Sequence, residues 1–99
     1  MSVVVELSVF PMDKGSSVGR YVATAVDIIR GSGLVYELHP MGTCLEGEWD
    51  AVMDVVKACH DRLREESDRV YMTVKIDSRA GGHGRLQHKV QTVRSYLEP

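Results

Sequence analysis

The chain is poor in the features that mark specialised proteins. Its 99 residues hold only two cysteines, and a pair 15 positions apart makes no secreted disulfide framework. Reduced thiols and a cytoplasmic location are expected. Lys and Arg number 12 against 14 Asp and Glu, for a net charge of −2. No basic run exists, so the electrostatic footprint of a nucleic-acid binder is missing. No segment approaches the roughly 20 apolar residues that span a bilayer. The opening "MSVVVELSVF" lacks a basic n-region and carries Glu6, so it reads as a strand and not as a signal peptide. Linkers, low-complexity tracts and internal repeats are likewise absent, which predicts one domain over residues 1–99.

What is present is a good supply of core-forming residues, 43% hydrophobic with 26% charged, the balance of an ordinary globular domain. Residues 3–10 alternate: Val3, Val5, Leu7 and Val9 on one side, Val4, Glu6, Ser8 and Phe10 on the other. That period of two predicts a strand with one face on a core, ended by Pro11. "MDKGSS" is a loop in which Ser16 or Ser17 can cap a helix. The helix is stitched by Val18, Tyr21, Val22, Ala25, Ile28 and Ile29 and closed by Gly31 and Gly33. "LVYELH" is a second strand, "PMG" a turn, and "TCLEG" a short third strand. A helix over 49–66 follows, with Trp49, Val52, Met53, Val56, Cys59, His60 and Leu63 inward. "RVYMTVKID" is a fourth strand, with Val70, Met72, Val74 and Ile76 on its apolar side. After the loop "SRAGGHG", a last helix carries Leu86, Val90, Val93 and Leu97.

The order β-α-β-β-α-β-α predicts an α+β, ferredoxin-like sandwich with an additional C-terminal helix and an antiparallel sheet in the order 4-1-3-2. One sheet face is apolar. The other mixes Val4, Phe10 and Val35 with Glu6, Glu37, Cys44, Glu46, Tyr71, Thr73, Lys75 and Asp77, a composition that points to a partner subunit, the extra helix or a ligand.

"YELHPMGTCLEGEWD" at 36–50 carries the most chemistry. If Pro40 and Met41 centre the turn, Glu37 pairs with Cys44 and Tyr36 with Leu45. His39 and Cys44 then straddle a hairpin, Cys59 and His60 diverge by about 100° on a helix, and His83 and His88 straddle a helix start. None of these spacings converges three metal ligands. Carboxylates beside Cys44 raise a thiol pKa, the wrong direction for a nucleophile. No oxyanion hole or substrate clamp is apparent, so no catalysis is expected. "DKGSSVG" offers Lys14, Ser16 and Ser17 as a weak anion-binding alternative to a plain serine cap. Trp49, Tyr36 and Tyr71 read as packing residues, with cation–π contact to a flat cation as the alternative.

The segments "VVVELSVFPM", "YELHPMGTCLEGE" and "DRVYMTVKIDSR" together resemble the small thiamine-binding proteins of about a hundred residues. The resemblance runs from Val3 to about Leu97. Its marks are "ELSV-P" at 6–11, "Y-L--MGT--EG" at 36–47 and "DRV----KID-R" at 68–79. It implies a ferredoxin-like fold, dimers pairing into tetramers, and binding of thiamine or its hydroxymethylpyrimidine part without catalysis, cofactor or metal. Nucleic acid and membrane are not implied as partners. Thiamine is flat, aromatic and cationic. Glu6, Ser8, Glu37, Thr43 and Glu46 offer acceptors and hydroxyls to it. Tyr36, Tyr71, Trp49 and Met41 offer flat or soft surface, and Met41, Gly42 and Thr43 would shape a pocket wall. Lys75 either bridges to Glu6 within the sheet or meets these carboxylates from a neighbouring subunit.

Overall fold

The computed structural model describes residues 2–82 and 84–98. Its elements are β1 (Ser2–Pro11), α1 (Gly19–Gly31), β2 (Val35–His39), β3 (Gly42–Glu48), α2 (Trp49–Arg64), β4 (Val70–Ser78) and α3 (Arg85–Leu97). The strands form one antiparallel sheet in the order β2-β3-β1-β4. This is the ferredoxin-like 4-1-3-2 arrangement read from the other edge.

The alternation in β1 fixes the two faces. Val3, Val5, Leu7 and Val9 are buried against Ala25 and Ile29 of α1 and Val52, Val56, Cys59 and Leu63 of α2. Leu45 joins them from β3, and Tyr36 packs at the margin of this core. Helix α2 is narrower inside than its apolar stripe predicts. Trp49 and His60 lie outside the fully buried line, with Trp49 42% exposed and the His60 ring against Asp61 at 3.0 Å. It also stops two residues before the expected end. There Ser67 turns the chain, accepting from Arg64 Nη1 through its carbonyl at 2.6 Å and donating through Oγ to Asp13 at 2.5 Å. That bond, with the Asp68 amide, holds the Asp13 carboxyl below its ordinary range and ties the loop after β1 to the start of β4.

The serine cap expected for α1 does not form. Its N-cap is Val18, without a side-chain hydrogen bond. The Val18 carbonyl accepts the Tyr21 and Val22 amides, and Ser16 and Ser17 stay exposed in the preceding loop. At the C-terminal side Gly33 is left-handed as expected, with φ of +79°, whereas Gly31 is the last helical residue and Ser32 is the cap.

Helix α3 begins on the outer sheet face and then leaves the body. Its first turn is anchored by Glu46 of β3, whose Oε2 accepts the Arg85 amide at 2.9 Å and whose Oε1 accepts the Leu86 amide at 3.3 Å. A carboxylate suits a helix start because it satisfies two orphan amides and meets the positive end of the dipole. Glu46 is 6% exposed. Beyond Leu86 the helix is open to solvent, and Val90, Val93, Tyr96 and Leu97 are exposed.

Replacing Glu46 with Ala removes the acceptor for two buried helix amides. Loss of a cap costs about 0.5–2 kcal/mol. Amide hydrogen exchange is expected to accelerate across the first turns of α3 while β1 and β3 remain protected.

Candidate functional site

β1 is longer than its neighbour β3, and that mismatch opens a notch at one end of the sheet. Ser2 to Leu7 pair with β3, whereas β1 pairs with β4 as far as Pro11. Past Leu7 the β3 side of β1 has no strand against it, because the chain has already turned at Pro40 and Met41. The hairpin turn and one side of α1 close around this notch. Its walls are Leu7 to Phe10, Val18 at the cap of α1, Val22, Val26 and Ile29 of α1, and Leu38 to Thr43 of the hairpin, around about 230 Å³.

The lining is mostly apolar, with Ser8, His39 and Thr43 as its polar residues. Among the described residues the Ser8 and Thr43 hydroxyls and the His39 ring have no side-chain hydrogen-bond partner in the chain. Thr43 is buried and Met41 is 85% exposed at the mouth. Gly42 suits its position: a Cβ there would stand 3.0 Å from the Leu7 carbonyl oxygen, a tight contact with backbone. The hairpin therefore approaches β1 closely at this point. A site of this kind can enclose a single flat ring and offer hydroxyls and strand-edge backbone groups to its polar rim.

Four of the expected ligand residues, Ser8, Met41, Gly42 and Thr43, meet in this notch. The others are placed elsewhere. Glu37, Cys44, Glu6 and Lys75 form one row across all four strands of the outer face, as the pairings Glu37–Cys44, Cys44–Glu6 and Glu6–Lys75 show. Lys75 Nζ stands 3.5 Å from Glu6 Oε1 in an exposed pair, so it bridges within its own sheet; a pair this open is worth little. Glu46 is committed to α3. Tyr36 faces the helices. Trp49 starts α2 at the opposite end of β3 from the turn, about 20 Å away for a seven-residue strand, so it cannot close the hairpin end. Tyr71 stacks on Phe10 with ring centroids 5.7 Å apart. Lys14, Ser16 and Ser17 sit in the exposed loop that leads into α1, with no side-chain hydrogen bond to the helix cap.

The sequence reading missed the α1 wall. Val18, Val22 and Val26 recur at four-residue steps, a second apolar stripe beside the one that fills the core. His39, set aside once metal spacing failed, returns as a wall residue. Among the described residues no three His, Cys, Asp or Glu side chains stand together as a metal site; His83 lies outside the described residues.

The thiols are held in their protonated form. Burial, then the Glu6 and Glu37 carboxylates, raise Cys44 above the ordinary thiol value. Burial alone pushes Cys59 up to about 11, and its Sγ donates to the Ala25 carbonyl at 3.4 Å.

Comparison with known proteins agrees with this layout. The sequence profile of the thiamine-binding protein family matches residues 5–94. A UPF0045 protein of Methanothermobacter thermautotrophicus is 42% identical over 95 residues, 93% of this chain and 96% of its own. The crystal structure of a hypothetical protein from Methanocaldococcus jannaschii superposes with a TM-score of 0.87 at 34% identity, covering 93% of this chain and 95% of that one. A Thermotoga maritima protein assigned provisionally to thiamine biosynthesis or salvage superposes with a TM-score of 0.83 at 29% identity, covering 94% and 99%.

Thiolate is the reactive form of cysteine, and both thiols are shifted upward. Alkylation by iodoacetamide near pH 7.5 is therefore expected to run slower than for a free thiol. The rate should keep rising with pH beyond the ordinary thiol value of about 8.5, where a free thiol levels off, with Cys44 ahead of Cys59. Rapid labelling of Cys44 at neutral pH, followed by mass spectrometry, would contradict the electrostatics of the outer row.

Proposed function

The chain belongs to the thiamine-binding protein family, and on that premise we propose that it binds thiamine (vitamin B1) or its hydroxymethylpyrimidine part without transforming it. One observation carries the reading: the notch beyond Leu7, where strand-edge backbone, Ser8, His39 and Thr43 border an apolar slot. Drug-sized ligands occupy about 300–1,000 Å³, so a cavity near 230 Å³ suits one ring. The aminopyrimidine is that ring. Its amino group and ring nitrogens need donors and acceptors at the edge and apolar faces above and below. The thiazolium then extends past Met41 to the mouth. The role is that of a sensor, buffer or carrier in the cytoplasm, with no cofactor.

Self-association belongs to the same proposal. The exposed Val90, Val93 and Leu97 of α3 continue the stripe begun by buried Leu86. Val35 and Leu38 are exposed on edge strand β2, and Met72 and Ile76 are partly exposed on edge strand β4. Uncovered edges and apolar stripes of this kind are ordinarily covered in a working protein. A dimer, or a tetramer of paired dimers, covers them. A second reading, an interaction protein with no small ligand, rests on these same surfaces and on nothing in the notch.

Calorimetry with thiamine and with hydroxymethylpyrimidine separates the two. Binding of both is expected, with a thermal shift that grows with ligand. Val22→Phe fills the slot and is expected to lower affinity at least tenfold. Ser8→Ala removes one hydrogen bond, worth about 0.5–1.5 kcal/mol, or roughly two- to tenfold. Silence from both compounds at millimolar concentration sinks the ligand reading, and release of a modified pyrimidine from purified protein sinks the non-enzymatic one. Sedimentation at micromolar concentration is expected to give a dimer or tetramer, and Val93→Asp with Leu97→Asp to lower that state. A wild-type monomer would remove the self-association claim.

A further inference from the structure

The opposite end of the sheet holds a second concavity that the notch does not use. Ser78 at the end of β4 pairs with Val3, near the start of β1. The loop that follows leads into α3. Arg79, Ala80, Gly81, Gly82, Arg85 and His88 surround about 320 Å³ there. Five or more β1 residues separate this place from Ser8, on the order of 15 Å along the strand, so one small ligand cannot fill both.

Arg85 is the unusual member. It is 6% exposed, yet arginine is almost never buried without partners. Its side chain folds back over Gly82, where a Cβ would stand 3.3 Å from the arginine Cδ. Gly82 has φ of +86° and Gly81 of +71°, so both the space and the backbone there call for glycine. Nη2 donates to the Asp77 carbonyl at 2.8 Å and stands 3.7 Å from Asp77 Oδ2. Among the described residues Nε and Nη1 are buried with no acceptor at all. The nearby carboxylates are already engaged: Asp77 pairs with Lys89 Nζ at 2.5 Å, and Glu46 holds the α3 amides. No carboxylate is in the cavity wall, whereas two arginines and a histidine are.

We propose that this cavity is an anion site for a phosphate group, with Arg85 as its fork and Arg79 and His88 at its rim. A guanidinium presents donors in a planar fork that matches the oxygens of phosphate. Two unanswered donors on a buried cation are an expensive arrangement unless an oxyanion meets them. The helix start contributes little, since Glu46 occupies its first amides. Specificity for the anion therefore rests on the arginine and the glycine loop. The site is independent of the thiamine reading, and it gives the protein a way to respond to free phosphate or to a phosphate ester.

Inorganic phosphate is the probe, titrated against sodium chloride at equal ionic strength. Saturable stabilisation of the full chain in thermal unfolding is expected, with heat in calorimetry. Arg85→Lys keeps the charge and loses the fork, and is expected to weaken phosphate binding at least tenfold while thiamine binding stays as it was. If Arg85→Lys fails to fold, Arg79→Gln with His88→Gln, both on exposed residues, should weaken phosphate severalfold. Equal stabilisation by phosphate and chloride overturns the proposal. So does an Arg85→Lys protein that binds phosphate normally, or one in which only the sedimentation behaviour changes, since the guanidinium would then serve a subunit contact.

Discussion

Everything in this fold depends on the alternation of β1. It is one of the two central strands and the longest, paired with β3 from Ser2 to Leu7 and with β4 from Val3 to Pro11, so every odd residue from Val3 to Val9 must be apolar to meet the helices. The even residues are then committed to the other face. A one-residue slip would exchange the two sets and put Glu6 in the core. The hairpin β2–β3 and the strand β4 take their register from β1, and both concavities lie where those pairings stop.

That dependence explains what could be read in advance. The sheet order, the hairpin register centred on Pro40 and Met41, and the apolar face of β1 all follow from local periodicity and turn chemistry. The site was only half legible. Ser8, Met41, Gly42 and Thr43 were found because they sit on or beside the hairpin. Trp49 was grouped with them because it is close in sequence, although a strand of seven residues carries it to the far end of the sheet. Glu46 looked like a free carboxylate until α3 was placed over it. The α1 wall was hidden because Val18, Val22 and Val26 belong to a stripe whose purpose is to border a gap, and periodicity alone does not distinguish a border from a core.

The outer face shows how charge is distributed when only part of a sheet is covered. Glu37, Cys44, Glu6 and Lys75 share one row, with acid and base placed so that neighbouring groups offset one another. The next row places Glu46 under α3 and Asp77 against Lys89 and Arg85. The carboxylates nearest the helix are therefore tied into contacts, and those farther out stay solvated. This gradient keeps the face open to a partner while its buried charges are paired, and among the described residues only Nε and Nη1 of Arg85 are buried without an acceptor.

The anchoring of α3 by its first turns alone, through Glu46, Asp77 and buried Leu86, has a mechanical consequence. The helix is 13 residues long, a lever of roughly 20 Å at 1.5 Å per residue. Its base rests on Gly84 in the left-handed region and on the Glu46 carboxylate. A tilt of about ten degrees at that base would sweep the far end through roughly 3 Å, close to the width of a methyl group, and so re-register any surface against which Val93 and Leu97 are seated. Events at the base of the lever, in the sheet or in the glycine loop beside it, are thus geared to the position of its tip.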